Sequence, residues 1–130
     1  KQRTALAGVL ALNPDILIFD EATSMLVPQG RSEVLDMIQK LHEAGKTILM
    51  ITHFVEEAVI ADRVILMHGG KILACGTPRQ VLTSKEWMEQ AGMLPPVPVR
   101  LYYDLKDAGI SLALCPLTEK ELADAICQLK

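Results

Sequence analysis

The sequence has no apolar run long enough to cross a bilayer. Its longest hydrophobic stretches are strand-length and broken by charges or turns, whereas a spanning helix needs about 20 apolar residues in a row. No secretory leader is recognisable at the start, so a cytoplasmic location is the expectation. Cysteine is scarce: Cys75, Cys115 and Cys127 are odd in number, far apart, and show neither CxxC spacing nor a neighbouring histidine cluster. That excludes a disulfide framework or a zinc site as the organising principle, and the three are expected as core thiols. There is no Lys/Arg cluster, and the net charge is -3, so a nucleic-acid partner is not expected. No internal repeat, low-complexity segment or heptad pattern is present. The opening Lys1-Gln2-Arg3-Thr4-Ala5-Leu6-Ala7 lacks a methionine and a capping residue. It reads as the inside of a helix, as in the C-terminal part of a longer protein.

What is there suits a single moderate core with a small appendage: 130 residues, half of them hydrophobic. An Ala/Leu-rich helix is expected over residues 2–12, ended by Asn13-Pro14 because the residue before proline avoids helical angles. Ile16-Leu17-Ile18-Phe19 is a continuous apolar run followed by two acids, Asp20 and Glu21. Such a run suits a strand of a parallel sheet covered on both faces. A turn at 22–27 leads to a helix from Pro28 to about Ala44, with Val34, Leu35, Ile38 and Leu41 on one face and Gly45 as the residue that stops it. Thr47-Ile48-Leu49-Met50-Ile51-Thr52 is a second buried strand. The whole makes a β-α-β unit of about the thirty residues that such a unit needs. Parallel strands end at one edge, which places Asp20, Glu21 and His53 on one side of the sheet, where ligands of open α/β sheets gather.

A short helix over 54–60 precedes two apolar runs, 63–67 and 71–75, joined by Gly69-Gly70, the signature of a tight hairpin. Thr77-Pro78-Arg79-Gln80 is a capping box with proline at the first helical position, and Thr83-Ser84-Lys85-Glu86 repeats the box. Met93-Leu94-Pro95-Pro96-Val97-Pro98 reads as a stiff linker. Two short amphipathic helices follow, one carrying Leu101, Leu105 and Ala108, the other capped by Thr118 with Glu121 and carrying Leu122, Ile126 and Leu129. The expected organisation is therefore 1–92, a linker at 93–98, and a helical extension at 99–130.

Adjacent carboxylates at a strand end suit nucleotide hydrolysis: one holds the waters of a magnesium ion, the other orients and polarises the attacking water. His53, at the end of the neighbouring strand, could reach a terminal phosphate. In this order and spacing the residues resemble ATP-binding-cassette ATPases. Ile16 to Glu21 is similar to their Walker B strand with its catalytic glutamate, Lys1-Gln2-Arg3 to the helix after their LSGGQ signature, Ser24-Met25-Leu26-Val27 to their D-loop, and Thr52-His53 to their switch-histidine loop. The run from Asp20 to Leu26, followed by Pro28-Gln29-Gly30-Arg31, resembles the ATPase subunits of energy-coupling-factor transporters, which take up vitamins, cobalt or nickel. Leu94-Pro95-Pro96-Val97 and the helix after it resemble the C-terminal region through which those ATPases pair.

The resemblance implies an α/β fold, the C-terminal part of a P-loop ATPase domain with parallel strands, a β-hairpin and a small helical extension. It implies ATP and Mg2+ as cofactors, with Asp20 carrying the metal through water, Glu21 as general base and His53 on the γ-phosphate. Ser24 and Val27 would lie in the contact with a second ATPase subunit, in a homo- or heterodimer. Membrane-embedded transport subunits would be the other partners, with the protein peripheral on the cytoplasmic face of the membrane. The Gly-rich phosphate loop and the signature are not in these 130 residues, so the chain alone is expected to be inactive. Val27 stands where the family's D-loop has aspartate. It also precedes Pro28 as the helix N-cap, where valine offers no acceptor. A non-catalytic interaction module that keeps its dimerisation tail is the alternative. DNA-repair and chromosome-structure ATPases rank lower, because no heptads accompany the motifs.

Overall fold

A computed structural model describes residues 12–129. The helix expected over residues 2–12 lies outside them except for Leu12. The chain is α/β and divides after His53 into two compact units.

The first unit is the expected β-α-β. Strand β1 (Ile16–Asp20) and strand β2 (Thr47–Ile51) pair in parallel, with Ile16 opposite Thr47 and Asp20 opposite Ile51. Helix α1 (Pro28–Glu43) connects them, starting on Pro28, whose fixed φ suits the first turn and whose missing N–H would go unbonded there anyway. It stops at Gly45, which takes φ +90° so that its N–H reaches the His42 carbonyl (2.8 Å) and the Lys46 N–H reaches that of Leu41 (3.1 Å). That is a Schellman ending, and only glycine adopts it without strain. Leu17 and Phe19 pack with Ile38 of α1, flanked by Val34, Met37 and Leu41. The expectation of cover on both faces is corrected here: Ile16 and Ile18, one residue out of phase, stay about two-thirds exposed at 64% and 65%, and Leu49 and Ile51 are exposed as well. Among the described residues of this unit, the sheet has a helix on one side only.

The second unit starts with helix α2 (Val55–Ala58), shorter than its expected span. Strands β3 (Val64–His68) and β4 (Lys71–Gly76) form the antiparallel hairpin, with an irregularity between Leu66 and Met67. Gly69 and Gly70 both take positive φ, +56° and +74°, the pair a two-residue turn needs to match strand twist. Helix α3 (Pro78–Leu82) carries the full capping box: Thr77 Oγ1 accepts the Gln80 N–H, and Gln80 Oε1 accepts the Thr77 N–H. The second expected box does not form, and the cap lies one residue later. Helix α4 (Lys85–Gln90) is capped by Ser84, which accepts the Trp87 N–H. Thr83 instead closes α3, its hydroxyl donating to the Arg79 carbonyl at 2.6 Å.

Helix α5 (Val97–Asp107) starts inside the stretch read as a linker, with Pro98 in its first turn, and Pro96 and Val99 are fully buried. Helix α6 (Glu119–Cys127) follows. Val99 and Leu117 share one cluster with Val64, Leu66, Ala74, Val81, Leu82 and Met88, so the tail helps to build this unit's core. Two of the three cysteines are not core thiols: Cys75 and Cys127 are exposed, whereas Cys115 is half-buried and packs against the core cluster. Cys75 accepts the Arg63 Nε–H on its sulfur at 3.3 Å.

A polar clasp ties α3 to α6 and to the segment before it. Arg79 Nη1 donates to the Cys115 carbonyl (2.6 Å), and Nη2 to both Glu121 oxygens (2.8 Å each). Glu121 Oε2 also accepts the Leu117 N–H at 2.7 Å. The Leu117 N–H and then Arg79 hold the Glu121 carboxyl below its ordinary range, against a smaller opposing push from burial. Burial pushes the Cys115 thiol up against the pull of Arg79, and it also raises Tyr103, whose hydroxyl donates to the Thr83 carbonyl at 2.7 Å.

Candidate active site at the end of the parallel strands

The register that sets Asp20 opposite Ile51 delivers both strand ends to one edge. Asp20 is the last residue of β1 and lies on the same face as exposed Ile16 and Ile18, so its carboxylate is open to solvent. Glu21 leaves the strand with φ +45°, a left-handed conformation rare for a residue with a Cβ. Its N–H still reaches across to the Ile51 carbonyl at 2.9 Å, adding one rung past the end of the ladder. The bend turns its carboxylate toward His53, just beyond β2, and Glu21 Oε1 stands 3.3 Å from His53 Nδ1. Both side chains are about half exposed, at 53% for Glu21 and 57% for His53. With the proton on Nδ1, the ring donates to the carboxylate and presents Nε2 elsewhere.

The turn after Glu21 is closed by its own groups. The Ser24 N–H (3.1 Å) and hydroxyl (2.9 Å) both donate to the Glu21 carbonyl, and the Leu26 N–H donates to that of Thr23 at 3.0 Å. Thr23 is buried, and Met25 is exposed. Val27 sits in extended geometry at the start of α1 and makes no side-chain cap bond, as valine must, although its carbonyl accepts the Arg31 N–H. No acid stands in the first turn of α1 to compensate.

Of the residues singled out from sequence, the structure joins Glu21, His53 and Ser24 into one bonded group and leaves Asp20 beside it. Val27 lies further along the turn. Sequence reading gave Ser24 a contact outward and missed its bond to Glu21. The Ser at three residues after Glu is the only available signal, and it is weak, since serine in turns is common. The left-handed backbone at Glu21 had no signal, because a non-glycine residue does not advertise positive φ. Among the described residues, no group of three or more His, Cys, Asp or Glu is arranged to hold a metal ion. An ion here would therefore depend on a single carboxylate, on waters and on a ligand's oxygens, a set that suits magnesium.

No protein-family model matches the chain. Among curated proteins, it is 47% identical over its whole length to the Energy-coupling factor transporter ATP-binding protein EcfA1 of Clostridium novyi (strain NT), covering 47% of that protein. It is 44% identical to the protein of that name from Halalkalibacterium halodurans, with 100% of the chain and 47% of the relative aligned. With the one from Caldanaerobacter subterraneus subsp. tengcongensis it shares 43% identity, over 98% of the chain and 47% of the relative. The chain thus spans about half the length of the curated relatives it matches.

Proposed function

We propose that this chain, which belongs to the ATP-binding-cassette ATPases as the C-terminal part of a subunit of the energy-coupling-factor type, supplies the hydrolytic side of an ATP site. The full-length subunit would couple ATP hydrolysis to uptake of a vitamin or metal ion. The observation that carries this is the 3.3 Å contact between Glu21 and His53 at the carboxyl edge of two parallel strands. Glu21 takes the proton from the attacking water. A ring that donates from Nδ1 to Glu21 and from Nε2 to the γ-phosphate is an imidazolium, so His53 would bridge the base and the group being attacked. Asp20 would hold Mg2+ through water, and the ion would supply neutralisation of phosphate charge. The phosphate-cradling loop is not in these 130 residues, so the chain alone should not turn ATP over.

The partners in this reading are a second ATPase subunit, met through the Ser24 to Val27 turn and the helical extension at 99–130, and membrane-embedded transport subunits. Among the described residues no helix is long and apolar enough to cross a membrane. In this reading the protein is peripheral at the cytoplasmic face, beside subunits that do cross.

The test is Glu21→Gln in the full-length subunit with its partner. Turnover should fall by about 10²–10⁴-fold, the usual worth of a general base, while ATP binding is kept. Turnover within about threefold of the unmodified protein would refute the assignment of Glu21 as base.

A further inference from the structure

We infer that Ser24 is a positioning residue for Glu21: its hydroxyl locks the left-handed turn on which the contact between Glu21 and His53 depends. The inference rests on Glu21 acting as the base, as proposed above. Positive φ is unfavourable for glutamate and persists only where surrounding bonds over-determine it. Three bonds do so here. The Ile51 carbonyl holds the Glu21 N–H, and the N–H and hydroxyl of Ser24 both hold the Glu21 carbonyl. Two of these are backbone bonds, open to any residue at position 24. The hydroxyl bond alone depends on the side chain.

Both peptide groups of Glu21 are thereby fixed, and with them the direction of its Cα–Cβ bond. The carboxylate is half exposed and bonded to His53 at 3.3 Å, near the outer limit of such a bond. Little else holds it, so relaxation of the backbone toward ordinary φ would swing it away from the histidine. A hydroxyl has one proton, and Ser24 spends it on Glu21. A group from an opposing subunit can meet Ser24 without disturbing Glu21 only by donating to it.

The test uses the full-length subunit paired with its partner ATPase. Ser24→Ala should lower kcat about three- to tenfold, the range for losing one hydrogen bond, with KM for ATP changed less than about twofold. Ser24→Thr keeps a hydroxyl and should return kcat to within about twofold of the unmodified protein. Added to Glu21→Gln, Ser24→Ala should cost nothing further, because the side chain it positions is already disabled. Equal losses in the alanine and threonine variants, a raised KM at unchanged kcat, an unchanged kcat, or the same loss in the Glu21→Gln background would each overturn the inference. If Glu21→Gln itself keeps full turnover, the base assignment falls and takes the inference with it. That failure is read from a different variant.

Discussion

In residues 12–53 the buried apolar cluster is Leu17, Phe19 and Ile38, and four apolar strand residues on the opposite face are bare. In residues 54–129 eight buried residues form one cluster, Val81, Met88 and Val99 having no accessible surface at all, and a bidentate ion pair clasps the helices around it. The candidate chemistry lies wholly in the first. A segment that carries a site at a strand edge keeps polar groups and strained backbone exposed, and among the described residues a helix packs on only one face of its sheet. The segment without the site can close its core completely. Stability and chemistry are thus unevenly distributed along this chain, and substitutions should report that difference.

The largest effect on stability is expected in the closed core. Leu82→Ala should cost about 2–5 kcal/mol, since the surrounding side chains cannot collapse into the space. Ile18→Ala, on the bare face, should cost less than about 0.5 kcal/mol. Urea melts of the two variants give the contrast directly, and equal shifts would erase it.

Next comes the clasp. Arg79→Met should cost about 1–3 kcal/mol, charged hydrogen bonds discounted for their partial exposure. The same pair sets a pH dependence. The Glu121 carboxyl lies below its ordinary value of 4.5 in the folded state, so the folded state favours the ionised form. Its contribution is complete above that value and is lost as the pH falls through the lower folded one. Acid should therefore destabilise the unmodified protein through Glu121 more than it does Arg79→Met, and parallel pH-stability curves would contradict this.

The last effect belongs to the first unit and has the opposite sign. Val27→Asp would supply the missing acceptor at the N-cap of α1 and should raise stability by about 0.5–2 kcal/mol. A thermal melt without a gain would remove the capping explanation.

Much of this could be read along the chain. The capping box at Thr77, the Gly45 stop, the Gly69-Gly70 hairpin and the uncapped Val27 are written in adjacent residues, and each lies where local chemistry placed it. The common edge for Glu21 and His53 followed from parallel strands alone. The reading slipped where the signal was not local. Met93 to Pro98 read as a stiff linker, yet Pro96 is buried, because proline stiffness says nothing about what the ring packs on. All three cysteines were placed inside by composition, and Cys75 and Cys127 lie at the surface while Cys115 packs against the core.

By itself the sequence determined the element types, their order and the edge at which Asp20, Glu21 and His53 gather, because periodicity, caps and glycines act within a few residues. Only the tertiary structure decided that Glu21 takes positive φ under the hold of Ser24 and Ile51, and that Arg79 meets Glu121 across 42 positions. Those outcomes depend on which distant groups satisfy a carbonyl or a charge, and a buried or bent polar group accepts whichever partner the packed chain brings within about 3 Å.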